Sequence, residues 1–408
     1  MLVHYGASMG DITTAQSPAS PPTSALPPVR QRLLEVIALF LKLGTISFGG
    51  PAAHIALMEQ ETVHKRRWLS REHFLDLLAA TNLVPGPNAT EMAVHIGFLR
   101  AGWPGLFAAG LAFILPAFLI SLGLAVVYVR YQALPQGDAV MYGISPVVAA
   151  VVITATYRLG RTAIRDWRSA ALAAAILVAA ELHLANEVLL LAAAGLVGSA
   201  IYARPRLPWL ACLALSLVPF SAAELQVQAW LGGKALPLLL YFLKVGSLIF
   251  SSGMVLFAFI QRDVVSGYGW LTQRQLLDAI AVGQMTPGPV LSSATFIGYL
   301  VGGGAGAVAA TVGVFAPSFL IIALIGPWIP RLRRSPVAQA FLRGVNAAVL
   351  ALIIAIAFVL LRAALTDALA ALILAAALVA LLRFRADAIW LVASGAIIGL
   401  ARYLLLAA

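Results

Sequence analysis

The chain has 408 residues, 62% of them hydrophobic and 11% charged, with a formal net charge of +11 and a mean hydropathy of +0.95. A soluble fold of this length has too little interior for so much apolar surface, so composition excludes a soluble protein and indicates an integral membrane protein. Basic residues in the short loops of such a protein orient its spans, and no nucleic-acid partner is expected despite the positive balance.

Residues 1–30 are rich in Pro, Ser and Thr and lack the basic-then-apolar order of a signal peptide; they read as a disordered cytoplasmic tail. Six apolar elements follow, near 33–57, 74–99, 104–129, 138–157, 169–185 and 187–203. A further segment near 207–223 precedes six more, near 235–260, 276–301, 303–329, 338–361, 364–382 and 387–406. Ala and Leu dominate and period-two alternation is absent, so the spans are helices crossing or entering a hydrocarbon core. The division expected is a first transmembrane repeat over 31–206, a linking segment and loop over 207–234, and a second repeat over 235–408. The single Cys212 excludes an intrachain disulfide and a Cys-rich metal site.

The two sets share a plan. Phe40, Lys42, Gly44, Phe48, Trp68, Asp76, Pro85, Gly86 and Pro87 recur 202 positions later as Phe242, Lys244, Gly246, Phe250, Trp270, Asp278, Pro287, Gly288 and Pro289. After a one-residue gap, Ile96, Gly97, Gly105 and Pro116 recur as Ile297, Gly298, Gly306 and Pro317. A chain built twice with helix breakers at matching depth is the sequence sign of a secondary transporter.

Charge orients the plan. Arg158, Arg161, Arg165 and Arg168, then Arg204 and Arg206, then Arg331, Arg333 and Arg334, then Arg383 and Arg385 all follow apolar elements. Placing these clusters in the cytoplasm requires the segment near 207–223 to cross once, which inverts the second repeat relative to the first. Lys65, Arg66 and Arg67 in the first copy against Gly267, Tyr268 and Gly269 in the second agree with that. Arg30 and Arg32 precede the first element and the Lys65 cluster follows it, so both ends look cytoplasmic. A re-entrant hairpin turning at Gly49-Gly50-Pro51, and another at Pro85-Gly86-Pro87, resolves the conflict; two kinked spanning helices are the alternative. The fold class expected is an all-α integral membrane protein of two homologous inverted-topology repeats with broken or re-entrant helices.

The candidate chemistry sits at the breaks. Pro-Gly-Pro stops a helix, and the helix that restarts offers free N–H groups and a positive dipole end, which suit an anion. The anion-binding candidates are Gly49, Gly50, Gly86, Asn88 and Thr90 in the first copy, with Ser251, Ser252, Gly288, Ser292 and Ser293 in the second. Lys42 and its copy Lys244 are added, because a lysine about 15 Å along a membrane helix stands near mid-bilayer. Glu91 and His95, four apart on one helix face, are the candidates for proton coupling. His54, Glu59 and Glu61 read as a solvated loop edge, with gate residues as the alternative, and Glu181, His183 and Glu187 as exposed. No nucleotide-binding lysine loop, HExxH or His/Cys cluster is present, so no enzyme activity and no cofactor are expected.

Phe48-Gly49-Gly50-Pro51, the run from Pro85-Gly86-Pro87-Asn88 to His95-Ile96-Gly97, and Leu115-Pro116 resemble the chromate ion transporter (CHR) family. Its two-domain members carry this motif set twice. The resemblance covers 40–118 and 242–319, and the second copy departs from it with Ser251-Ser252-Gly253. It implies efflux of chromate from the bacterial cytoplasm across the inner membrane, chromate resistance, and sulfate as a look-alike ligand. A sulfate or other oxyanion carrier working in the uptake direction is the alternative. Whether two chains pair as a homodimer is left open.

Overall fold

The computed structural model describes residues 27–48, 50–81, 85–131, 135–203, 233–250, 252–325 and 335–407. The segment near 207–223, Cys212, Gly49, Ser251, Arg204, Arg206 and the cluster Arg331, Arg333 and Arg334 lie outside the described residues, as does nearly all of the N-terminal tail. Among those described there is no strand.

The first expected element is two helices, α1 (Val29–Ile46) and α2 (Pro51–Glu59), the latter running on as a π-helix over Gln60–Lys65. The break follows from the residues: Gly50 takes φ 82, which favours glycine, and Pro51 starts α2 at the position that tolerates a missing N–H. The second expected element is likewise α3 (Arg71–Thr81), the Pro-Gly-Pro turn, and then α4 (Asn88–Tyr131). Inside α4, Ala101 and Gly102 (φ 66) leave helical geometry, and the chain reverses there. Gly97 and Gly105 press backbone to backbone across the reversal. The arm 88–100 therefore folds back on the arm 103–131.

Both breaks form hairpins that open at one end. Arg32 donates to the Arg100 carbonyl at 3.0 Å, Arg100 pairs with Glu35 at 2.7 Å, and the Arg100 guanidinium lies 4.9 Å from the centre of the Trp68 ring. The start of α1, the loop after the π-helix and the end of the arm 88–100 thus share one end of the molecule.

The helices α5 (Pro135–Ala163), α6 (Trp167–Glu181) and α7 (Glu187–Ala203) complete the first half. The second half repeats the order: α8 (Ala235–Leu248), α9 (Val255–Phe259) with a π-helix over Ile260–Gly267, α10 (Gln273–Met285), α11 (Ser293–Ile325), α12 (Pro336–Ala364), α13 (Ala368–Arg383) and α14 (Ala388–Ala407). α11 reverses at Gly302 and Gly303 (φ 62), as α4 does, with Gly298 pressed on Gly306.

The halves pack reciprocally. Gly143 of α5 meets Gly395 and Gly399 of α14, and Gly344 of α12 meets Ala194 and Gly198 of α7. Contacts that exchange partners in this way are the mark of a two-fold relation, here within one chain. The hairpins of the second half meet the far end of the arm 103–131: Tyr128 donates to Asp278 of α10 at 2.6 Å, and Arg274 pairs with Asp138 of α5 at 2.7 Å. That arm is about 43 Å long at 1.5 Å per residue.

Five helices among the described residues are long and apolar enough to cross a membrane, within 88–131, 136–163, 290–324, 336–364 and 388–406. Trp103, Phe107, Leu111, Leu115 and Leu119 are all exposed at four-residue spacing, and Val308, Val312, Leu320 and Leu324 are exposed in the same register, with half-buried Ala316 between Val312 and Leu320. Such apolar stripes suit lipid, not water. The short loops are tied down by caps. Asp166 and Asp367 accept from the backbone N–H groups of Ser169 and Ala370, each at 2.8 Å. Both carboxyls are held below the usual carboxylate range, first by a tyrosine hydroxyl, Tyr202 and Tyr142 respectively.

Candidate functional site

The two broken regions interlock at the centre. The Gly86 N–H donates to the Ile249 carbonyl at 2.6 Å, and the Gly288 N–H donates to the Ser47 carbonyl at 2.9 Å. Ser47 and Ile249 are equivalent positions, so each Pro-Gly-Pro glycine ties to the break of the other half. φ is 152 at Gly86 and 86 at Gly288, so the turn geometry itself requires glycine. These two N–H groups are thereby used in holding the crossing.

Around the crossing lies a set of buried polar side chains. Thr90, Glu91 and Ser293 are wholly buried, Ser292 is 1% exposed and His95 8%. The Thr90 and Ser292 hydroxyls, both Glu91 carboxyl oxygens and His95 Nδ1 have no hydrogen-bond partner. Interior polar groups are nearly always paired, so these unpaired ones make the crossing the candidate site. Ser293 is the exception, returning its hydroxyl to the Val290 carbonyl at 3.0 Å. Asn88 opens α4 and is half-buried, Gly50 sits at the first break, and the Ser252 hydroxyl accepts from the Met254 N–H at 3.3 Å. Gly49 and Ser251 lie outside the described residues.

Lys42 and Lys244 stand apart from this set. Lys42 pairs with Glu61 at 2.8 Å, and Glu61 also holds Lys65 at 3.0 Å and Arg66 at 3.5 Å. The Lys42 side chain is 49% exposed. Lys244 pairs with Asp263, the copy of Glu61, at 3.4 Å and lies 5.9 Å from the centre of the Tyr241 ring. Each lysine thus clasps the two arms of its own hairpin, a pairing that only the fold-back makes possible.

Three expectations are corrected. His54 and Glu61 are not on a solvated edge: they are 2% and 5% exposed, and His54 Nε2 lies 3.1 Å from the Ser47 carbonyl, beside the crossing. Glu187 is not exposed either; it is 5% exposed and meets Arg262 of the other half at 3.3 Å. In each case a residue near a loop in sequence is covered by a helix distant in sequence. Ser47 and Ser318 were not singled out, yet both are wholly buried with unpaired hydroxyls. The signal for Ser318 was a difference between copies: Pro317-Ser318 stands where the first copy has Pro116-Ala117.

The Chromate transporter family model matches twice, over residues 34–199 and 236–400. The chain belongs to the chromate transporter family. A chromate transport protein of Cupriavidus metallidurans is 32% identical over 405 residues, covering 96% of this chain and 99% of that protein. A probable chromate transport protein of Synechococcus elongatus is 32% identical, covering 82% of this chain and 86% of that one. A chromate transport protein of Pseudomonas aeruginosa is 34% identical, covering 84% and 82%. No solved structure matches. In this member of the chromate transporter family, the twice-matched regions contain both Pro-Gly-Pro breaks, so the interlocked crossing is made wholly from family sequence.

Proposed function

We propose that the chain is a secondary transporter that exports chromate, a tetrahedral oxyanion, from the cytoplasm across the inner membrane and so confers chromate resistance. The observation that carries this reading is the group of unpaired, buried hydroxyl and carboxyl oxygens around the two crossed breaks. The chromate transport proteins among its relatives supply the ligand.

Energetics favour the direction. One charge crossing 100 mV is worth ~2.3 kcal/mol, and a dianion twice that, so an inside-negative potential drives it outward without ATP. Glu91 and His95 are the proposed route for protons where the pH gradient contributes. The proposed topology is inverted, with the N-terminus and the end bearing Lys65, Arg66 and Arg100 in the cytoplasm. The contacts of α10 with Tyr128 and Asp138, at and beyond the far end of the arm 103–131, support it. Glu61 offsets only one of its three cations, so the cluster keeps a positive potential that draws anions to the hairpin mouth.

The deciding experiment is chromate and sulfate flux by purified protein in liposomes at varied potential and pH. Outward-driven chromate flux is expected; movement of sulfate alone, in the uptake direction, would overturn the reading. Asn88→Ala is expected to abolish chromate flux with membrane abundance intact, and wild-type flux would remove Asn88 from the site. Lys42→Ala is expected to weaken apparent affinity, more at low than at high ionic strength, because its contribution is a screened potential. For the topology, Lys65→Cys in a Cys212→Ala background should resist impermeant thiol reagents applied outside. Labelling from outside would refute the re-entrant first hairpin.

A further inference from the structure

Glu91 and Ser318 come from different repeats, and they meet over Gly86. A Cβ on Gly86 would collide with Glu91 Oε1 and lie 2.8 Å from Ser318 Oγ. With no side chain on Gly86, a carboxyl and a hydroxyl, both wholly buried, close over its backbone and form a polar notch. Neither oxygen of the carboxyl, nor the hydroxyl, has a hydrogen-bond partner. Packing alone does not account for this, because two facing polar groups left unpaired are costly unless a ligand completes them.

The notch exists once. At the matching Gly288, the atoms nearest a Cβ would be the Ala117 methyl, where Ser318 stands in the other half, and the Gly44 carbonyl oxygen, both at 3.3 Å, with no side-chain polar group among them. The residue matching Glu91 is Ser293 or, across the gap, Ser292. The two-fold plan therefore carries its polar notch on one side only.

We propose that Glu91 and Ser318 form a single oxyanion subsite per chain, assembled from both repeats, in which Ser318 donates to an oxygen of the tetrahedral anion and Glu91 binds as the neutral acid. This deepens the transport reading above and rests on it. A carboxylate there would repel a dianion, and no cation pairs with Glu91 among the described residues. The titratable groups nearby are His95, one turn further along the same arm, and His73 of α3; α11 presents the Ser318 hydroxyl. Each anion that seats thus requires one proton on Glu91, taken from the aqueous phase on the side of entry.

The test is full-length protein in liposomes, with chromate and sulfate as probes, reading KM and the pH profile of flux. Ser318→Ala is expected to raise the chromate KM at least tenfold and to shift the pH profile. Ser318→Thr should restore both towards wild type. Ser394→Ala, which removes a hydroxyl bonded only within its own helix, is the control for a lost serine. Wild-type KM and pH profile in Ser318→Ala overturn the subsite. If Ser318→Ala does not accumulate, Ser318→Cys decides: it keeps the volume and weakens the donor, and an unchanged KM and pH profile in it overturn the subsite equally. Absence of any oxyanion flux by the wild type overturns the transport reading itself, whereas wild-type flux with an indifferent Ser318 overturns only this inference.

Discussion

Replacing Gly86 with alanine is expected to abolish chromate flux and to lower the stability of the purified protein by several kcal/mol. Three effects coincide at this residue. Its φ of 152 is a conformation that side chains rarely adopt, and holding one there costs about 1–3 kcal/mol. The added methyl would occupy the notch, against Glu91 and Ser318, and overpacking of a tight site costs about 1–3 kcal/mol more. Any shift that relieves the clash loosens the N–H bond to the Ile249 carbonyl, one of the paired backbone bonds at the crossing. Flux in liposomes and the thermal midpoint in detergent measure the two consequences. A variant that melts and transports like the wild type would remove Gly86 from both the site and the crossing.

The second large effect is expected at Gly97. A side chain there would meet the Gly105 carbonyl and the Ala109 methyl, both on the returning arm of the same hairpin. Backbone cannot move aside as a flexible side chain can, so Gly97→Leu should force the arms apart and prevent accumulation of folded protein. Gly123 lies on the same helix with nothing within 4 Å of where its Cβ would stand. Gly123→Ala should therefore be tolerated, and should gain up to about 1 kcal/mol of helix propensity. Membrane abundance and monodispersity after solubilisation distinguish them. Equal behaviour of the two variants would show that the glycine contact does not hold the hairpin.

Comparing the two copies gave a good guide to the crossing. The residues that recur, Gly44, Gly86, Gly97 and Gly105, are ones whose lack of a side chain lets backbone approach backbone, or lets the chain turn. Those that differ, Glu91 against Ser293 and Ser318 against Ala117, mark the notch. The lysines show where depth along a helix misleads. Lys42 lies thirteen residues after the start of α1, yet the fold-back brings Glu61 within 2.8 Å of it, and a lysine with such a partner need not face the centre.

The sequence by itself determined what local chemistry fixes. Apolar composition requires a bilayer, glycine and proline set where helices stop, and recurrence sets two copies of one plan. The family motifs, too, are written in consecutive residues. Only the tertiary structure decided which groups face each other across the copies: the paired ties Gly86–Ile249 and Gly288–Ser47, the burial of Glu61 and Glu187, and the place of Ser318 over Gly86. The reason is range. A helix break is a property of a few neighbouring dihedrals, whereas the Glu91–Ser318 notch joins residues more than two hundred positions apart, and nothing short of closing both hairpins and packing the two repeats together brings them into one place.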